Sequence, residues 1–203
     1  MKFLIFDFDG TIVDSKSVYY HALETRLIKM GFSKNKIEKT IDLGLNISET
    51  LRNLGFSWFV RLFERRNIMK EVLSKVNQVK KCKDVDSLKK LNVRKILLSN
   101  SFDEFIYPVL KHLNLERVFD EVYGADDFEN KEEFIKDYLE RNWLKKNEVL
   151  YIGDRVTDVK LARKLGIKVV IISGKCSWNS KKDIKRAKPD YIIKDIKEMN
   201  KLI

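Results

Sequence analysis

Short apolar runs closed by polar or small residues set the rhythm of the chain. The first covers residues 2–8, Lys-Phe-Leu-Ile-Phe-Asp-Phe, and stops at a pair of acids and Gly10. Its length and flanks suit a strand buried on both faces better than a helix. Runs of the same kind follow at Lys95–Ser99, Glu148–Ile152, Lys168–Ser173 and Asp190–Ile193, with a weaker one at Glu121–Gly124. Between them, Phe102–His112, Lys131–Asn142 and Thr157–Leu165 carry apolar residues at helical spacing, and Gly166 supplies a stop for the last. Alternating strands and helices predict an α/β layer fold with a parallel sheet.

Residues 15–83 break that rhythm. Val18–Met30, Lys34–Thr40, Ile47–Leu54 and Trp58–Val79 read as helices, Ser48 and Ser57 as caps, and no strand is expected among them. The predicted organisation is an α/β core formed by residues 1–14 and 84–203, with a helical insert at 15–83. The aromatic group Phe56, Trp58, Phe59 and Phe63 is expected to fill the core of that insert.

Composition narrows the class. With 44% hydrophobic residues, 8 Gly and 2 Pro, the chain is neither disordered nor a turn-rich sandwich. No apolar run approaches the ~20 residues of a membrane span, and Asp7 and Asp9 interrupt the first apolar stretch, so no signal peptide is expected. A soluble cytoplasmic protein, monomeric or homodimeric and without a membrane partner, is the expectation. Its two cysteines, Cys82 and Cys176, are expected as reduced thiols. The net charge of +11 is unevenly spread: residues 15–85 and 160–203 carry +8 and +9, whereas 1–14 and 86–159 carry −2 and −4. The basic excess is read as solvated helix faces. Without a zinc finger, an aromatic RNA-binding motif or a long basic run, nucleic acid is not the expected partner.

The acids carry the chemistry. Asp7-Phe8-Asp9-Gly10-Thr11 ends the first strand, and Gly153-Asp154-Arg155-Val156-Thr157-Asp158 ends the Glu148–Ile152 strand. Ligands of open parallel sheets bind beyond the carboxyl ends of strands, so the two acidic sets can converge there. Carboxylates crowded into one crevice repel one another. A hard divalent cation relieves this, and all-oxygen ligation favours Mg²⁺.

Asp7-Phe-Asp-Gly-Thr-Ile-Val-Asp-Ser15 resembles the first motif of the haloacid dehalogenase superfamily of phosphatases and phosphomutases. Ser99, Lys131 and the run Gly153–Asp158 are similar to its later motifs, so the resemblance spans essentially the whole chain. It implies a doubly wound, Rossmann-like core with a helical cap inserted after the first strand, as in the phosphoglycolate phosphatase and β-phosphoglucomutase subgroup. Asp7 would be the nucleophile and Asp9 the acid and base. Mg²⁺ would be held by Asp7, the Asp9 carbonyl and Asp154, with Asp158 behind them. Ser99, Asn100, Lys131 and the backbone around Phe8 would grip the phosphoryl group. Thr11, Arg155 and Gly44, the last in a cap loop Leu43-Gly44-Leu45, are candidates on the substrate side. Two departures stand out. Glu132 follows Lys131 where the family often has Pro, and Arg155 follows Asp154 where a small residue is common.

The implied activity is Mg²⁺-dependent hydrolysis of a small phosphorylated metabolite through an aspartyl-phosphate. The alternatives are a phosphomutase of the β-phosphoglucomutase type and a non-catalytic basic interaction module on a phosphatase fold.

Overall fold

A computed structural model describes residues 3–41 and 47–203. Gly44 and its loop lie outside them. In chain order the elements begin with β1 (Phe3–Phe6), β2 (Val13–Asp14), α1 (Lys16–Lys29), α2 (Lys34–Thr40), α3 (Ile47–Asn53), α4 (Trp58–Leu73) and β3 (Lys80–Lys81). They continue with β4 (Arg94–Leu98), α5 (Asp103–His112), β5 (Glu121–Tyr123), α6 (Lys131–Arg141) and β6 (Val149–Gly153). The last are α7 (Val156–Leu165), β7 (Lys168–Ile172), α8 (Lys181–Ala187) and β8 (Tyr191–Ile193).

β1 lies in the middle of a six-stranded sheet of order β5-β4-β1-β6-β7-β8, and every pairing in it is parallel. All four β1 residues are buried, as a parallel strand covered on both faces requires. Phe3 and Ile5 face a core that takes Ile135, Tyr138 and Leu139 from α6, Val159 and Ala162 from α7, and Ile184 from α8. On the other side of the sheet Phe8 meets Phe105 of α5 edge-on, with ring centroids 6.2 Å apart. Helices therefore cover both faces of the sheet, which is the doubly wound arrangement. β1 is flanked by β4 and β6, and the chain leaves it toward opposite edges of the sheet. That reversal opens a crevice at its carboxyl end.

The chain divides into two compact units, Met1–Asp14 with Lys80–Ile203, and Ser15–Val79. The first unit resumes at Lys80, ahead of the boundary expected at 84, because Lys80–Lys81 pairs antiparallel with Val13–Asp14. Those two-residue strands were not expected, since two residues show no period. α8 was likewise not anticipated. Ser180 caps it, its hydroxyl accepting from the Asp183 N–H.

The second unit is helical. Val18, Ala22, Leu23 and Leu27 of α1 and Ile68, Met69 and Val72 of α4 are all buried. Arg26 and Glu64 form a two-pronged ion pair within this unit. The hydrogen bonds from Arg26 hold the Glu64 carboxyl below its ordinary range against the opposing effect of burial. The aromatic expectation is corrected here: Trp58, Phe59 and Phe63 are 59%, 75% and 65% exposed, and Trp58 and Phe59 stack on each other at 4.6 Å. The buried stripe of α4 is Glu64, Ile68, Met69 and Val72, which leaves the aromatic first turn outside. The helix also ends at Leu73, and Val76–Gln78 forms a separate 3₁₀ turn. Among the described residues no helix is long and apolar enough to cross a membrane.

The cysteine expectation is also corrected. Cys82 and Cys176, 94 residues apart, are joined by a disulfide with Cα atoms 5.9 Å apart. Neither their number nor their spacing signals the pairing. It arises because the segment after β3 and the loop after β7 meet in the folded core unit. In the chain-entropy account, closing a loop of this length contributes about 4–5 kcal/mol by restricting the unfolded chain.

Candidate active site

β1 and β6 run in register, Phe6 opposite Ile152, and the Asp7 N–H continues the ladder by donating to the Ile152 carbonyl at 2.8 Å. Asp7 and Asp154 therefore leave neighbouring strand ends side by side. Asp158, in the first turn of α7, completes a buried cluster: each of the three offers one carboxylate oxygen, and these atoms lie within 4.8 Å of one another.

Lys131 reaches the same place from α6. Asn130 caps that helix, its side-chain oxygen accepting from the Glu132 and Glu133 N–H groups at 2.9 and 3.4 Å. The cap fixes Lys131 as the first helical residue, and its Nζ lies 2.7 Å from Asp7 Oδ1. The position that reads as a departure from the family, Glu132 after the lysine, leaves this reach intact.

The loop after Asp7 turns tightly. The Ile12 N–H donates to the Phe8 carbonyl at 2.8 Å and the Gly10 N–H to the Val13 carbonyl at 2.9 Å. Gly10 has φ +78°, and a Cβ there would overlap the Asp154 carboxylate and the Trp178 ring. Only glycine serves both demands. Asp9 is buried, and its Oδ2 accepts from the Ser101 hydroxyl at 2.6 Å. The Ser101 N–H in turn donates to Ser99 Oγ at 3.0 Å. Ser101 is a site residue that the sequence reading missed. A lone serine two positions after a strand carries no pattern, and only the fold brings it to Asp9.

Asp158 serves as a support within the cluster. Its Oδ2 accepts from the backbone N–H groups of Asp154 and Arg155 at 3.1 and 2.8 Å, fixing the turn that carries Asp154. Asp154 Oδ2 accepts from the Trp178 N–H at 2.5 Å, whereas its Oδ1 is buried with no hydrogen-bond partner. Of the other expected residues, Phe8 has a fully buried side chain, so only its backbone can serve a ligand. Asn100 is exposed beside Ser99. Thr11 is buried, with its hydroxyl unpartnered. Arg155 lies over the Trp178 ring at 4.1 Å, so its guanidinium is engaged with an aromatic face.

Charge is poorly tolerated here without a counterion. Burial, then the neighbouring Asp158, drives the Asp154 carboxyl far above the ordinary carboxylate range. Burial, then Asp7, raises Asp158 to about 6, and Lys131 opposes that rise. The three carboxylates, one of them carrying a buried, unpartnered Asp154 oxygen, are an all-oxygen donor set that fits a hard divalent cation.

Residues 4–172 match the family model described as haloacid dehalogenase-like hydrolase. A phosphoglycolate phosphatase from Aquifex aeolicus is 24% identical over 96% of this chain and 96% of its own length. One from Pseudomonas syringae pv. tomato is 23% identical over 98% of this chain and 78% of its own. A haloacid dehalogenase-like family hydrolase from Streptococcus pneumoniae superposes with a TM-score of 0.84 at 20% identity, covering 100% of this chain and 98% of that one. The curated relatives are phosphatases, and the chain itself, matched over most of its length, is an enzyme that belongs to the haloacid dehalogenase-like hydrolase family.

Proposed function

We propose that the protein is a Mg²⁺-dependent phosphatase of a small phosphorylated metabolite, a phosphoglycolate-like compound or a sugar phosphate, working through a phosphorylated Asp7. The observation that carries this reading is the meeting of Asp7, Asp154, Asp158 and Lys131 at the carboxyl ends of β1 and β6.

A carboxylate attacks a phosphate monoester poorly because both are anionic. Lys131, already 2.7 Å from Asp7, places a positive charge where the two anions meet. An Asp7 oxygen bonds to phosphorus as the bond to the leaving oxygen breaks, and Asp9 gives that oxygen its proton. Asp9, again a carboxylate, then takes a proton from water as the water oxygen bonds to phosphorus. The Asp7–phosphate bond breaks and inorganic phosphate leaves. Two displacements replace one very slow hydrolysis. Ser99, Asn100 and the backbone N–H groups around Phe8 hold the phosphoryl oxygens. Asp7, the Asp9 carbonyl and Asp154 would hold Mg²⁺, which would supply further positive charge opposite the transferring group.

The test is a screen of phosphorylated metabolites with Mg²⁺, reading released phosphate. Turnover of one or a few small monoesters is expected, and no release from any donor overturns the reading. Two substitutions give smaller, informative effects. Lys131→Ala removes the charge facing Asp7 and is expected to lower kcat/KM by about 10²–10³-fold; steady-state kinetics on the best donor checks this. Ser101→Ala frees the Asp9 carboxylate from its hydroxyl partner at a net cost near 1 kcal/mol or somewhat more. It is expected to lower kcat about 10-fold with little change in KM, and Ser101→Thr is expected to restore most of the loss.

A further inference from the structure

We propose that the Cys82–Cys176 disulfide is a positioning clamp for Asp154, so that the thiol redox state of this pair sets the affinity of the site for a divalent cation. The proposal rests on the reading of Asp154 as a metal ligand.

The loop between β7 and α8 contains no regular element over residues 173–180. It nevertheless supports the Asp154 turn alongside Asp158. The Ser177 hydroxyl lies 3.1 Å from the Asp154 carbonyl oxygen and 3.1 Å from that of Asn179, and it can donate to either. The Trp178 N–H donates to Asp154 Oδ2 at 2.5 Å. Asn179 Oδ1 accepts from the Val156 N–H at 2.8 Å, tying the loop to the first residue of α7. Three consecutive residues thus hold the ligand turn, and Cys176 immediately precedes them.

The other cysteine is tied to the loop that follows β1. The Cys82 N–H donates to the Ile12 carbonyl at 2.9 Å, and the Ile12 N–H donates to Phe8 between Asp7 and Asp9. The disulfide therefore joins the loop that holds Asp154 to the Cys82 segment, which is hydrogen-bonded to the loop after Asp7 and Asp9. Along the backbone, the two cysteines are 94 residues apart. Both cysteines are buried, at 5% and 8% exposure, so the bond is largely shielded from solvent.

Reduction by a dithiol cleaves the S–S bond. Two electrons and two protons pass to Cys82 and Cys176, which become thiols, while the dithiol closes into its own disulfide. The loop at 173–180 then keeps its hydrogen bonds but loses its tether, and Asp154 is held less firmly. Loss of a partner that orients a metal ligand typically lowers metal affinity 10–100-fold.

The test uses the full chain, untreated and after dithiothreitol. Thiols are counted in denaturant, and Mg²⁺ binding is measured by calorimetry without substrate. No free thiol is expected before treatment and two after it, with Mg²⁺ affinity about tenfold weaker in the reduced protein and restored on reoxidation. The Cys82→Ser/Cys176→Ser variant is expected to match the reduced protein and to ignore the reductant. If it does not fold, the comparison of oxidised and reduced wild type still decides the matter. A purely structural cross-link lowers the melting temperature and leaves Mg²⁺ affinity unchanged, and that result overturns the proposal alone. Two free thiols in the untreated protein overturn it as well. Absence of Mg²⁺ binding in both redox states overturns it together with the metal reading.

Discussion

Replacing Asp7 by asparagine is expected to end turnover, with a loss of about 10⁴-fold or more in kcat, while the protein stays folded. The amide has the shape of the carboxylate but no anionic oxygen to form the bond to phosphorus. Two opposing effects bear on the fold. The substitution removes one charge from a buried cluster in which Asp7 itself raises Asp154 and Asp158. It also takes the anionic partner from Lys131, whose side chain is only 9% exposed. Lys131 still interacts favourably with Asp158, so it is not left as a lone buried cation. Circular dichroism and melting temperature should be close to wild type. Acid-quenched protein should carry a covalent phosphate in the wild type and none in Asp7→Asn. Normal turnover in that variant would remove Asp7 from the nucleophile role.

Chelation is expected to have an effect of comparable size. EDTA should silence phosphate release, and excess Mg²⁺ should restore it. The same cation should stabilise the fold without any substrate, by about 2.7 kcal/mol at a hundredfold excess over Kd, or roughly 5–10 °C in melting temperature. The pH dependence has a definite sign. Asp158 titrates near 6 when folded, against 3.8 ordinarily, so the folded metal-free protein holds more protons than the unfolded chain between these values. Its stability therefore falls as pH rises through about 4 to 6. Below that window Asp158 is protonated and Mg²⁺ adds little; the gain from Mg²⁺ grows as pH rises through it. Melting curves in EDTA and in Mg²⁺ from pH 4 to 8 check this, and two parallel curves would refute the metal role of the cluster.

The residues that the sequence made legible share one property: their signal is local. Phe3–Phe6 and Val149–Gly153 each show a buried strand in a few letters, and the acids follow directly behind. Asn130 before Lys131 announces the helix that brings the ammonium to Asp7. What escaped depends on distance in the chain. Ser101 meets Asp9 across 92 positions, Trp178 meets Asp154 across 24, and Cys82 meets Cys176 across 94. No spacing rule covers such pairs, because the sheet order decides them. The aromatic first turn of α4 failed for another reason. Large apolar side chains are usually inside, but the buried stripe of that helix begins at Glu64, with the aromatics on a different face. Ser48, read as a cap, lies within α3, whose first residue is Ile47.

The place of β1 in the sheet also bears on how a ribosome delivers this protein. Phe3 pairs with Arg94 on one side and Val149 on the other, so β1 is made long before either of its neighbours. The nascent Phe-Leu-Ile-Phe segment has neither partner until Arg94–Leu98 has been made, and its second edge stays open until Val149–Gly153 follows. Meanwhile the Ser15–Val79 helices, held by contacts within their own stretch, can assemble first. During that interval a chaperone that shields short apolar strands has the most to offer this chain.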